Sequence, residues 1–120
     1  MQVTIEAPFN MVEEKKNYIE EQVLALNKYN MGITQGNVYF KLNDGTGNDE
    51  VLAQIRLRIP GNDLFVSNAD EDDVKAFASA YESIKRLVIK EKDKRNEKQS
   101  PVREMTDIVY NTYENDIKAL

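Results

Sequence analysis

The sequence predicts an α+β fold of order β-α-β-β-β-α, a two-layer sandwich with two helices on one face of a four-stranded sheet. Three observations predict it. Apolar and polar residues alternate strictly at the start and in the middle of the chain, as strands with one buried face require. Two longer stretches carry apolar residues at helical spacing, one after the first strand and one after the fourth. Gly, Pro and Asn cluster at the joints between these segments. A length of 120 residues suits one principal domain.

Residues 2–7 alternate Val3 and Ile5 with Gln2, Thr4 and Glu6 and predict the first strand, which Pro8 ends. Asn10, with Glu13 three residues on, has the form of a capping box. It opens a predicted helix from Met11 to about Tyr29 on Val12, Ile19, Val23 and Leu26, with Tyr18 and Leu24 beside them. Asn30, Gly32 and Gly36 punctuate its exit. In 38–42, Val38, Phe40 and Leu42 alternate with Tyr39 and Lys41, and 43–49, with Gly45 and Gly47, reads as a hairpin loop. The clearest pattern follows: Val51, Ala53, Ile55, Leu57 and Ile59 form one apolar face, as expected for a half-buried strand of an antiparallel sheet.

Pro60-Gly61-Asn62 predicts a tight turn into a short strand over 64–67. The acidic residues 68–73 start a second helix, whose stripe is Val74, Phe77, Tyr81, Ile84 and Val88, running to about Glu91. The polar stretch 96–100 is expected to be flexible. Ser100-Pro101 could open a short third helix on Met105, Ile108, Val109, Tyr113 and Ile117. The expected organisation is a domain over 1–95 and a flexible or short-helical tail over 96–120. Lys41, Gln54, Arg56 and Arg58 fall on the sheet face that the helices leave uncovered.

Composition excludes much chemistry. The chain has no Cys and no His. It therefore has no disulfide, no thiolate nucleophile, no Ser-His-Asp device and no ordinary zinc ligand set. No pair of carboxylates is convincingly placed for acid–base work, so no enzyme activity, catalytic residue, metal or cofactor is expected. Neither a signal-peptide pattern nor an apolar run near the ~20 residues of a membrane span is present, and the expected location is cytoplasmic, away from membranes.

The net charge of -5, from 16 Lys+Arg against 21 Asp+Glu, conceals a segregation. Between Lys85 and Lys98 seven bases meet three acids, while 44–73 is strongly acidic. Acids at the start of a helix and bases at its end suit the helix dipole, which alone explains part of this pattern. Several bases on one side would also contact phosphates, each contact releasing counterions. At 100° per residue Arg86 and Lys90 share one side of the helix, and Lys28 joins them if the helices lie side by side. The candidate RNA-binding residues are Lys28, Lys85, Arg86, Lys90, Lys92, Lys94 and Arg95. Residues 70–73, Asp-Glu-Asp-Asp, lack the EF-hand pattern, and 43–47 lack the Walker spacing and its Lys. Tyr39 could stack a base on the open sheet face, with no second aromatic expected in the neighbouring strand.

The order of strands, the turn Ile59-Pro60-Gly61-Asn62-Asp63-Leu64-Phe65, the acidic start 70–73 and the basic ending Ile84-Lys85-Arg86-Leu87-Val88-Ile89-Lys90 resemble the ribosome hibernation-promoting factors. This family includes ribosome-associated inhibitor A, and the resemblance is to its short form, over about residues 2–95. It implies a fold similar to double-stranded RNA-binding domains and binding to the small ribosomal subunit and its rRNA. The site implied is the messenger and transfer RNA channel, and the outcome blocked translation and preserved idle ribosomes in bacterial stationary phase or stress. Lys28, Arg86 and Lys90 match the family's RNA-contacting bases by position. Gln22, Ala25 and Ser83 stand where it usually has further bases. The tail is expected to modulate ribosome pairing or to lie along the messenger path, and its Ile108, Val109 and Tyr113 equally suit docking on its own domain; self-association or ribosome pairing is the further partner expectation. The competing expectation is an acidic protein-binding regulatory module without ribosome binding.

Overall fold

A computed structural model describes residues 1–43 and 50–99, in a chain that forms two compact units, Met1–Ile89 and Lys90–Leu120. The elements are β1 (Gln2–Glu6), α1 (Glu13–Leu24), a 3-10 segment (Ala25–Tyr29), β2 (Gln35–Asn43), β3 (Glu50–Ile59), β4 (Asn62–Asp70) and α2 (Asp73–Gln99). The order β-α-β-β-β-α and the α+β class are those the sequence predicts.

One sheet holds the strands in the order β1-β2-β3-β4. β1 and β2 are parallel, and the other two pairs are antiparallel. Parallel neighbours need a crossover, and α1 supplies it. The register aligns Ile5, Val38, Ile55 and Val66 across all four strands, and Val3, Gly36, Leu57 and Leu64 in the next such row. Because successive side chains alternate faces, the row between them, Thr4, Asn37, Arg56 and Phe65, lies on the other side. Ile19 and Val23 from α1, Leu26 from the 3-10 segment and Ala76, Phe77, Ala80, Ile84 and Val88 from α2 close over the apolar rows. Val38, Ile55, Leu57 and Ile84 are fully buried, each contributing about 1.5–3 kcal/mol by leaving water.

Several boundaries differ from the sequence reading. Val12, not Asn10, precedes the first turn of α1, and no side chain caps it. The capping box therefore does not form. The amides of Lys15 and Lys16 instead donate to the Val12 carbonyl, both at 3.1 Å, while Phe9 packs 6.0 Å from Phe40 and anchors the entry. The predicted first helix is α-helical only to Leu24 and then tightens to 3-10 geometry. Asn30 ends it at φ 56, its amide donating to the Asn27 carbonyl at 3.0 Å. Asn tolerates this left-handed conformation better than most residues.

β4 is longer than expected, because Asn68, Ala69 and Asp70 continue the ladder against Ala53, Leu52 and Val51. The acidic run is thereby divided between a strand end and a helix start. α2 continues past Glu91, so 96–99 are helical. Of the hairpin loop expected over 43–49, Asn43 is the last residue of β2, paired with Glu50; the rest of that loop and the third helix expected after Ser100 lie outside the described residues.

Candidate nucleic-acid interface

The helical spacing of α1 brings Tyr18 and Gln22 to one side, and the 3-10 segment continues that row with Ala25 and Lys28. On α2 the facing row is Val74, Phe77, Ala78, Tyr81, Glu82 and Lys85. The two rows wall one groove of about 440 Å³. At its start the helices are tied by Lys15 Nζ, which donates to Asp73 Oδ2 at 2.9 Å.

Cations and aromatic rings share this groove. Lys28 is exposed, its Nζ 5.3 Å from the centre of the Tyr29 ring. Lys85 is half-buried, and Glu82, one turn back, lies 3.8 Å from its Nζ. A pair at that distance on an exposed helix holds the charge only weakly. Phe77 and Tyr81 stack obliquely at 5.9 Å, and Tyr18 is 51% exposed. Burial pushes the Tyr81 phenol above its ordinary range, and Tyr29, Glu82 and Tyr18 add to the shift. Arg86 is exposed and, among the described residues, forms no ion pair. A groove lined by two lysines and two tyrosines offers charge to phosphates and flat faces to bases or riboses.

The structure thus brings Lys28 and Lys85 together, with Arg86 next in the chain. The remaining candidates belong to the second unit. There Lys90 and Lys94 are exposed, Lys92 and Arg95 are half-buried, and Arg95 Nε donates to Glu91 Oε2 at 3.0 Å. Gln22 and Ala25 line the same groove as Lys28. Sequence reasoning missed the groove's tyrosines, although Tyr18, Gln22, Ala25 and Lys28 recur at steps of four, three and three. It also missed Phe65. β3, the neighbour of Tyr39's strand, carries no aromatic, but Phe65 on β4 lies on the open face, 45% exposed, with the Arg56 guanidinium 5.7 Å from its ring centre.

Other features are structural. Asp72 Oδ1 accepts from the Lys75 amide at 2.9 Å, the bond of a helix N-cap, and Asp70 Oδ1 accepts from the Glu71 amide at 2.7 Å. Glu71 pairs with Lys75 Nζ at 2.6 Å, which raises the Lys75 pKa. The acidic run is spent on turning the chain from β4 into α2. Among the described residues no group of acids is arranged to hold a metal ion, and no helix is long and apolar enough to cross a membrane. A cleft of about 550 Å³ beside the end of β1 offers Lys16 alone as a cation, against Glu6.

Comparison with known proteins places this geometry. No curated protein matches the chain. Among solved structures, the N-terminal domain of Protein Y from Thermus thermophilus superposes with a TM-score of 0.61 at 21% identity, covering 73% of this chain and 96% of that one. A ribosomal subunit interface protein from Coxiella burnetii gives a TM-score of 0.67 at 12% identity, over 78% of this chain and 99% of that one. These likenesses establish the fold. The sequence model described as Sigma 54 modulation protein / S30EA ribosomal protein matches residues 4–96, from within β1 into the basic end of α2. The chain therefore belongs to that family of ribosome-associated, non-enzymatic factors, the hibernation-promoting factors among them.

Proposed function

We propose that this protein is a bacterial, cytoplasmic translation inhibitor. It binds the small ribosomal subunit through rRNA, occupies the messenger and transfer RNA channel, and preserves idle ribosomes in stationary phase or stress. The observation that carries the reading is one groove lined by Lys28 and Lys85 together with Tyr18 and Tyr81. Family membership supplies the ribosome as the source of the phosphates. In this reading residues 1–95 form the binding domain, Lys28, Lys85 and Arg86 contact rRNA from the first unit, and Lys90, Lys92, Lys94 and Arg95 are the RNA-contacting candidates of the second. The tail over 96–120 modulates ribosome pairing.

The test is sedimentation with purified small subunits across a salt series. Binding should weaken as salt rises. Replacing Lys28, Lys85 and Arg86 together by Ala should weaken it further and flatten the slope of log K against log salt by about 0.7–0.9 for each phosphate no longer neutralised. Unchanged sedimentation of the triple variant would remove these residues from the interface. Failure of the wild-type chain to sediment with ribosomes would favour the acidic protein-binding module, for which the chain's net charge of -5 is the support.

A further inference from the structure

The two edges of the sheet are built differently. β1 is five residues long, a short edge that offers little to pair with. β4 is nine residues long and, among the described residues, has β3 as its one neighbour in the sheet. Its register against β3 runs without a break from Asn62 to Asp70, so no bulge twists the edge away. Between Asp63 and Asp70 the sequence Leu64-Phe65-Val66-Ser67-Asn68-Ala69 has no charge, proline or glycine. Among the described residues, this stretch of edge therefore carries no bulge, charge or proline of the kind that guards against pairing.

Which amides face outward follows from the ladder. The Arg58 carbonyl accepts from the Thr34 amide at 3.0 Å, so Arg58 turns its backbone groups away from β4. Those of Leu57 and Ile59 then face β4 and bond to Leu64 and Asn62, their opposites in the register. By alternation, Asp63, Phe65, Ser67 and Ala69 direct their backbone groups outward. All four are exposed.

The geometry points to pairing of this edge with β4 of a second copy of the chain, antiparallel about a two-fold axis through Val66. Such an axis stands perpendicular to the sheet, so residues opposite one another share a face and their numbers have the same parity. Centred on Val66, Phe65 lies opposite Ser67 of the second copy, Asp63 opposite Ala69, and Asn62 opposite Asp70. No like charges meet, and every outward amide finds a carbonyl. Centred on Ser67 instead, Asp63 would oppose Glu71, which disfavours that register. In the favoured one the two Phe65 residues are diagonal neighbours, about 7–8 Å apart and within reach of each other's rings, each with its Arg56 on the same open face. A second copy therefore fits the edge by backbone, charge and ring contact together. Because each copy carries a net charge of -5, screening by salt favours the pair. Ribosome binding through phosphate contacts has the opposite dependence, so the two associations separate experimentally.

The experiment is sedimentation velocity of the full chain over a concentration series, at low and at high salt. The expected result is concentration-dependent formation of a species of twice the 13.8 kDa chain mass, favoured by salt. Ser67→Pro removes an outward amide that the fold does not use, a position where an edge strand tolerates proline. It should weaken pairing about tenfold or more, while the circular dichroism spectrum and the urea midpoint stay those of the wild type. Ser67→Ala, which keeps the amide, should pair as the wild type does. A chain that stays monomeric at every concentration overturns the proposal. So does a dimer that a folded Ser67→Pro variant forms equally well, since its interface would then lie elsewhere.

Discussion

At the scale of single residues, Gly36 shows how closely the helix layer approaches the sheet. It sits in β2 between Val3 and Leu57 in the cross-strand row. A Cβ added there would lie 2.9 Å from Val23 Cγ1 and 3.4 Å from both Leu57 Cδ2 and Met1 Sδ. Val23 and Leu57 are fully buried, so neither can swing aside. Gly36→Ala should destabilise the fold by about 1–3 kcal/mol, the usual cost of overpacking. The measurement is a lower urea midpoint with an unchanged slope, and an unchanged midpoint would show that α1 can lift off the sheet freely. Tyr81 supplies the pH-dependent counterpart. Its phenol is held above the ordinary value of 10.0, chiefly by burial. The folded state then keeps the proton that the unfolded chain loses above pH 10, so this contribution is complete below pH 10 and is lost as pH rises beyond it. Tyr81→Phe should leave stability at neutral pH nearly unchanged and make its decline in alkali shallower. Parallel alkaline declines for the two proteins would show that Tyr81 is not the group responsible.

At the scale of elements, legibility in the sequence followed the strength of the local signal. β3 reads directly because five alternating apolar residues, Val51 to Ile59, face one core. α2 reads directly because Phe77, Ile84 and Val88 recur at helical spacing. The ends were less legible because tertiary pairing decides them. Asn68, Ala69 and Asp70 have poor strand propensity and belong to β4 because β3 continues opposite them. Gly36 reads as punctuation, yet it lies within β2 because the parallel pairing with β1 begins at Gln35. The capping box at Asn10 was legible and did not form, since packing of Phe9 against Phe40 sets where the chain enters α1. The groove was half legible: its cations appear in the sequence, but their meeting across two helices is a product of the crossover from β1 to β2.

At the scale of the whole molecule, the total charge describes the chain poorly, because acids and bases serve different parts of it. The net value of -5 belongs to a chain whose acids cap α2 and pair with neighbouring lysines. The groove itself holds Lys28 and Lys85 against Glu82. Gln22 is half-buried on the same wall. If rRNA fills this groove, Gln22→Lys adds one phosphate contact where two cations already point. Asn17→Lys changes the net charge equally, on the exposed surface of α1 outside the groove. Gln22→Lys should then tighten sedimentation with small subunits at low salt and steepen the salt dependence by about 0.7–0.9, with Asn17→Lys changing both far less. Equal effects from the two substitutions would mean that only the total charge is sensed, and no effect from Gln22→Lys would mean that the groove does not meet the RNA. The comparison therefore separates a shaped site from a general attraction, which the sum of charges cannot do.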